Sequence, residues 1–188
     1  MKIIFLDIDG VLNSEEWMRS RSTSDIDSRY PFYEFCPDLV DNLNYITDST
    51  GAKIVVSSSW RIGRSVEDLQ ALFKNVGVTG EVIDKTPSMV IKDEGYTIPR
   101  GCEIERWLDL RKFQRINWSR EKQLECIKEC GIENYIIIDD ETDMLYRQHE
   151  HFIKTSWKHG LSKYIADKAV EILSSSILNL YYPEKICI

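Results

Sequence analysis

The chain has 188 residues, a length typical of one domain with a small insert, and 43% of the residues are hydrophobic. Its net charge of −7 at pH 7 argues against broad adhesion to nucleic acid or to an anionic membrane, because both require clustered Lys and Arg. No apolar run is long enough for a membrane span or a signal peptide, and five scattered cysteines are a poor disulfide framework, so we expect a cytoplasmic protein.

Short apolar runs alternate along the chain with stretches of helical spacing. The runs predict five strands, at Ile3–Leu6, Ile54–Val56, Val82–Ile83, Tyr135–Ile138 and Phe152–Thr155. The apolar positions of five predicted helices, in chain order, are Leu39, Leu43 and Ile46; Val66, Leu69, Leu72 and Phe73; Ile104, Trp107 and Leu108; Leu124, Ile127 and Cys130; and Tyr164, Ile165, Ala169 and Ile172. This alternation predicts a three-layer, Rossmann-like α/β fold with a mainly parallel central sheet.

Two segments lack the alternating pattern. Residues 14–36 are polar with a late aromatic cluster, and residues 87–100 contain two prolines and a glycine, so both are predicted to be loops or flaps. We expect one domain over residues 1–188, with 14–36 as a flap or small cap and 87–118 as a variable loop-helix region.

Acidic and hydroxyl side chains follow three of the predicted strands. They are Asp7, Asp9, Ser57, Ser58, Asp139 and Asp140, with Asp143 one turn later. Ligands of open α/β sheets bind beyond the carboxyl ends of the strands, so these side chains are expected to converge there. Several carboxylates in one crevice repel each other unless a cation neutralises them, and hard oxygen ligands at an open site favour Mg²⁺.

The residue types also indicate a reaction. A carboxylate beside Mg²⁺ is a competent nucleophile toward phosphorus, and an acid two residues later can protonate the leaving group and then activate water. Gly10 allows a sharp backbone turn. The hydroxyl of Ser57 or Ser58 and a cationic side chain would bind the remaining phosphoryl oxygens.

Three of these motifs, in this order and each at a strand end, strongly resemble the haloacid dehalogenase (HAD) superfamily. The nearer resemblance is to the HAD domains associated with Swiss Army Knife RNA repair proteins. It covers roughly residues 1–161 and lies in the segments FLDIDGVLN, VVSSSWR, RGCEIERWL, YIIIDDETDM and KTSWKHGLS.

The resemblance implies a role for each matching position. Asp7 matches the nucleophile and Asp9 the general acid/base. Either Ser57 or Ser58 matches the phosphate-binding hydroxyl. Arg100 is the preferred match for the cation of the third motif, with Lys122 as the alternative. The expected Mg²⁺ ligands are Asp7, Asp9, Asp139, Asp140 and Asp143.

The resulting hypothesis is a Mg²⁺-dependent phosphomonoester hydrolase that forms an aspartyl-phosphate. Its substrate would be a small phosphoester or the terminal phosphate of a nucleic acid. The alternatives are a nucleic-acid end-processing repair domain, a HAD-like phosphotransferase or phosphonatase, and an inactive receiver-like domain.

Some residues have competing interpretations. Asp143 fits a helix N-cap as well as a metal ligand, and one of the three serines at 57–59 fits an N-cap. Arg61 fits a surface salt bridge as well as a substrate contact. His149 and His151 are predicted to lie at the surface.

Overall fold

The computed structural model describes residues 1–21, 35–91, 96–111 and 120–175. Its strands are β1 (Lys2–Leu6), β2 (Lys53–Val56), β3 (Val82–Lys85), β4 (Val90–Ile91), β5 (Tyr96–Thr97), β6 (Asn134–Asp139) and β7 (Phe152–Lys154). Its helices are α1 (Glu15–Ser20), α2 (Pro37–Thr50), α3 (Val66–Asn75), α4 (Arg100–Leu110), α5 (Arg120–Cys130) and α6 (Lys163–Ser174).

Five strands form one all-parallel sheet in the order β3-β2-β1-β6-β7. Apolar side chains cover both faces of the central strand β1, because Ile4 and Leu6 pack on one face and Ile3 and Phe5 pack on the other. The first face lies against apolar residues of α2, α3 and α6, and the second against those of α4. The predicted α/β fold with a parallel central sheet is therefore confirmed.

The structure adds elements that the sequence pattern did not predict. Helix α1 begins near the start of the segment expected to be a flap. Strands β4 and β5 pair in antiparallel orientation within the segment expected to be a loop. Residues 22–34 of the predicted flap, and residues 92–95 and 112–119 of the predicted variable region, lie outside the described residues. The single-domain organisation stays a prediction.

One predicted surface residue is buried. His151 stacks on Tyr135 with the ring centroids 4.3 Å apart, and its Nδ1 lies 2.6 Å from the Tyr135 carbonyl oxygen. The prediction of a surface position was therefore wrong for His151. Burial of its polar ring is tolerated because the Tyr135 carbonyl provides a hydrogen-bond partner in the interior. His149 is exposed, as predicted.

Among the described helices, none is both long and apolar enough to cross a bilayer.

The strand register fixes which residues leave the sheet side by side. Leu6 lies opposite both Val56 and Ile138, so the next residues along these strands, Asp7, Ser57 and Asp139, form a row at the carboxyl edge. The Asp7 amide donates to the Ile138 carbonyl at 3.0 Å, and the Ser57 amide donates to the Leu6 carbonyl at 2.9 Å. Backbone pairing thus positions this polar row.

Candidate active site

Three carboxylates meet at the carboxyl edge of the sheet. Asp7, Asp139 and Asp140 each contribute an oxygen atom that lies within 4.8 Å of the other two. Asp7 and Asp139 are buried, and Asp140 is partly buried. Such close negative groups repel each other strongly where water is excluded, so the arrangement calls for a cation.

The ionisation of these acids reflects that repulsion. Burial of the Asp139 carboxyl, together with the nearby Asp7 charge, raises its pKa from 3.8 to about 7 against the opposing effect of Arg100. Burial and Asp7 also raise the pKa of Asp140. Oδ2 of Asp139 accepts no hydrogen bond within the described ranges, which leaves a buried oxygen atom available to a ligand.

Gly10 makes the close approach of Asp140 sterically feasible. Its φ of 66° lies in the left-handed region, where a side chain is strained. A Cβ atom at this position would lie 2.3 Å from Oδ2 of Asp140, well inside contact distance. The turn after β1 therefore accommodates the Asp140 carboxylate only because residue 10 has no side chain.

Among the described residues, Arg100 reaches this cluster with its guanidinium. Its Nη1 donates to Oδ1 of Asp7 at 2.9 Å and to the Ser57 carbonyl at 2.6 Å, while its Nε lies 3.5 Å from Oδ2 of Asp139. Burial alone would lower the pKa of Arg100, but the charges of Asp7 and Asp139 outweigh burial and raise it. The alternative cation, Lys122, has a side chain outside the described set.

The two candidate hydroxyls differ in their surroundings. Oγ of Ser58 accepts the Trp60 amide at 3.4 Å, so Ser58 caps the short 3₁₀ turn formed by residues 59–61. Oγ of Ser57 is buried and has no hydrogen-bond partner in the part of the chain that the structure describes. A buried hydroxyl without a partner is unusual and is a natural place for a ligand oxygen to bind.

Asp9 lies beside the cluster but has different partners. Its Oδ2 accepts the indole N–H of Trp60 at 2.9 Å, and its Oδ1 accepts the side-chain amide of Asn13 at 2.9 Å. The group of three clustered carboxylates does not include Asp9. Its carboxylate is thus oriented by two neutral donors.

Asp143 also lies outside the three clustered carboxylates. Its exposed side chain accepts the Arg100 amide at 2.7 Å, and its carbonyl accepts the Gly101 amide at 3.2 Å. Asp143 therefore caps the N-terminus of α4, the helix that carries Arg100.

Arg61 has a role that neither sequence interpretation anticipated. Its side chain is buried and forms an ion pair with Glu103 on α4. It also donates to the carbonyls of Ser57, Ser58, Thr86 and Pro87 at 2.6–3.2 Å. Arg61 thus fixes the ends of β2 and β3 to α4, and no sequence motif marked it for this position.

Comparison with known proteins adds one finding. A family model described as the HAD domain in Swiss Army Knife RNA repair proteins matches residues 3–166. Neither the curated proteins nor the solved structures contain a significant match. The matched range contains every residue of the polar row and Arg100.

Proposed function

The chain belongs to the family of HAD domains found in Swiss Army Knife RNA repair proteins, and from this premise we propose that it is a Mg²⁺-dependent phosphomonoester hydrolase. Membership of a HAD family indicates hydrolase-type chemistry. The observation that carries the finer proposal is the meeting of Asp7, Asp139 and Asp140 within 4.8 Å at the end of the central strands.

The donor set suits a small, hard divalent cation. Three carboxylate oxygens lie close together, one buried oxygen of Asp139 accepts no hydrogen bond in the described structure, and Gly10 leaves the space that Asp140 occupies. Asp7, Asp139 and Asp140 would hold Mg²⁺, which when bound would neutralise their repulsion and stabilise negative charge on the phosphoryl oxygens. The metal roles of Asp9 and Asp143 stay predictions outside this proposed ligand set.

Asp7 is the proposed nucleophile. Its carboxylate oxygen attacks phosphorus, the bond between phosphorus and the leaving oxygen breaks, and Asp9 gives its proton to that oxygen. Water then attacks the phosphorus of the aspartyl-phosphate while Asp9 accepts a proton from it. The bond between phosphorus and Asp7 breaks, so inorganic phosphate leaves and Asp7 is regenerated.

Ser57 and Arg100 are the proposed anion-binding groups. Ser57, whose hydroxyl has no partner among the described residues, is the neighbour of Asp7 in the polar row, and the Arg100 guanidinium donates to Asp7 itself. Together they would provide directed hydrogen bonds to the non-reacting oxygens. The capping bond of Ser58 favours a structural role for its hydroxyl.

The family description and one surface feature favour a second candidate, the removal of a terminal phosphate from RNA. A groove of about 830 Å³ lies beside the carboxyl end of β7, and its lining includes Thr155, Lys154 and Lys168. Thr155 Oγ1 donates to the Gly10 carbonyl at 2.8 Å, so the groove adjoins the turn after β1. A chain of nucleotides would have space and positive charge there.

Substitution of Asp7 tests the proposed hydrolase. Asp7→Asn keeps the shape of the side chain but removes the nucleophile, so we expect Mg²⁺-dependent phosphate release to fall by at least about 10³-fold. Asp48→Asn, an exposed position on α2, is the matched control and should retain wild-type activity. Undiminished activity of a folded Asp7→Asn protein would refute the assignment.

The substrate class needs a separate measurement. Initial rates should be compared for oligoribonucleotides with a 3′- or 5′-terminal phosphate and for small sugar phosphates. A kcat/KM at least about 10-fold higher for one oligonucleotide would support the RNA-end candidate. Equal or higher values for the sugar phosphates would favour a small-molecule phosphatase.

A further inference from the structure

Both oxygens of the Asp9 carboxylate are held by neutral side chains. Trp60 Nε1 donates to one oxygen and Asn13 Nδ2 donates to the other, each at 2.9 Å. Asp9 forms no ion pair with a Lys or Arg among the described residues. The two donors restrict the rotation of the carboxyl group without placing a positive charge beside it.

The Trp60 donor sits on a rigid support. Arg61 donates to the carbonyls of Ser57 and Ser58 at 2.6 and 2.8 Å, which fixes the loop that carries Trp60. Trp60 is 9% exposed, and its ring packs edge-to-face on Phe35, with the ring centroids 5.6 Å apart. These contacts fix the orientation of the Trp60 ring, so that its indole N–H points to Asp9.

Asn13 completes the arrangement from the opposite side. Its side chain is buried, and its Oδ1 accepts the Gly10 amide at 2.8 Å while its Nδ2 donates to Asp9. Asn13 thus links the Gly10 amide, in the turn after β1, to the Asp9 carboxylate. Asp9 is fixed relative to both loops that border Asp7.

We propose that Trp60 is a positioning residue, which holds the Asp9 carboxylate in the orientation needed for proton transfer to the leaving oxygen. This inference rests on the proposed function of Asp9. A buried indole N–H requires an acceptor in any case, so a purely structural bond is the competing explanation. The two explanations differ in how the effect of losing the bond depends on the leaving group.

The test compares two esters with Trp60→Phe, which keeps an aromatic ring against Phe35 but lacks the donor. Glycerol 2-phosphate releases an alkoxide that needs a proton, whereas p-nitrophenyl phosphate releases a stable phenolate that does not. Misplacing a general acid should therefore lower kcat/KM for glycerol 2-phosphate by on the order of 10²-fold, and for p-nitrophenyl phosphate by less than about 5-fold.

Trp107→Phe is the matched control. Trp107 also donates its indole N–H to a carboxylate at 2.9 Å, but its acceptor is Asp84, away from the proposed site. This variant should leave the ratio of the two kcat/KM values unchanged. Thermal unfolding of both variants reports any loss of packing. If Trp60→Phe does not fold, site-specific replacement of Trp60 by β-(3-benzothienyl)alanine keeps the ring shape without the N–H.

A double variant shows whether Trp60 acts through Asp9. In the Asp9→Asn background, Trp60→Phe should cause no further change in the ratio of the two kcat/KM values, because the proton donor is already absent. Equal losses on both esters, or a further change in the double variant, would overturn the positioning role and leave the proposed function intact. If the wild type hydrolyses neither ester nor any phosphorylated oligoribonucleotide, the proposed function fails, and the inference with it.

Discussion

The substitution Asp139→Asn should stabilise the metal-free protein at neutral and alkaline pH. The Asp139 carboxyl is fully buried, and its pKa rises from 3.8 to about 7 because of burial and the Asp7 charge. The folded state therefore binds the Asp139 proton more tightly than the unfolded state does. Between these two pKa values the free energy of unfolding of the wild type should fall as the pH rises.

The size of the effect follows from the same pKa difference. Each pH unit between the two values is worth about 1.4 kcal/mol, so the penalty for ionising Asp139 reaches at most about 4 kcal/mol by pH 7. Asp139→Asn removes this penalty but also removes the carboxylate that faces Arg100 at 3.5 Å. We therefore expect a net stabilisation of about 2 kcal/mol at pH 8, or roughly 4–8 °C in Tm.

Thermal unfolding over a series of pH values, in EDTA and in Mg²⁺, measures the difference in stability between the wild type and Asp139→Asn. In EDTA, wild type and Asp139→Asn should have similar Tm values near pH 4 and diverge as the pH rises. Mg²⁺ should raise the Tm of the wild type at pH 8 and have little effect on Asp139→Asn, because a ligand is lost. Asp48→Asn controls for the change in net charge.

Two results would refute this reasoning. One is a pH dependence of Tm that is the same in wild type and Asp139→Asn, which would mean that Asp139 does not carry the proton. The other is an equal Mg²⁺-induced rise in Tm for both proteins, which would place the metal elsewhere.

Three further predictions follow from the contacts at the site. Ser57→Ala should lower kcat/KM about 10- to 100-fold with little change in urea stability, whereas Ser58→Ala should cost about 1 kcal/mol of stability and retain most activity. Gly10→Ala should weaken Mg²⁺ binding in calorimetry at least about 10-fold, since a Cβ atom there collides with a proposed ligand. Arg61→Met should destabilise the fold by about 3–5 kcal/mol in urea unfolding because Glu103 loses its buried partner, and Glu103→Gln added to Arg61→Met should recover part of that loss.

The sequence predicted the layers of the fold well because they depend on local pattern. Each of the five runs that predicted strands corresponds to a strand of the sheet. Parallel pairing brings the residues that follow β1 and β2 into one row with Asp139, the last residue of β6. The carboxylate cluster could be anticipated for the same reason. When strands alternate with helices, the strands run parallel and their carboxyl ends lie at one edge of the sheet.

The parts that escaped prediction depend on long-range partners. The sequence predicted for Arg61 either a surface salt bridge or a substrate contact. Its side chain is instead buried, because Glu103, far along the chain, and four carbonyls satisfy its donors. His151 is buried because a carbonyl of β6 lies against its ring nitrogen. Neither partner can be identified from the residues that neighbour Arg61 or His151 in the sequence.

The roles of neighbouring serines illustrate the same limit. Ser57 and Ser58 are identical in the sequence and both follow an apolar run. Their different roles arise from the turn of residues 59–61. The Trp60 amide in this turn donates to the hydroxyl of Ser58, whereas the hydroxyl of Ser57 has no partner among the described residues. A one-residue distinction of this kind arises from backbone geometry.

The contact between Asp143 and the first amide of α4 has a consequence for protein engineering. It joins the segment after β6, which carries the clustered acid Asp140, to the helix that carries Arg100. This bond, which lies outside the carboxylate cluster, therefore helps to hold Arg100 in place relative to the clustered acids. Because the donor is the backbone amide of residue 100, a helix imported from another protein could form the same bond with any non-proline residue at that position, provided that Asp143 is kept.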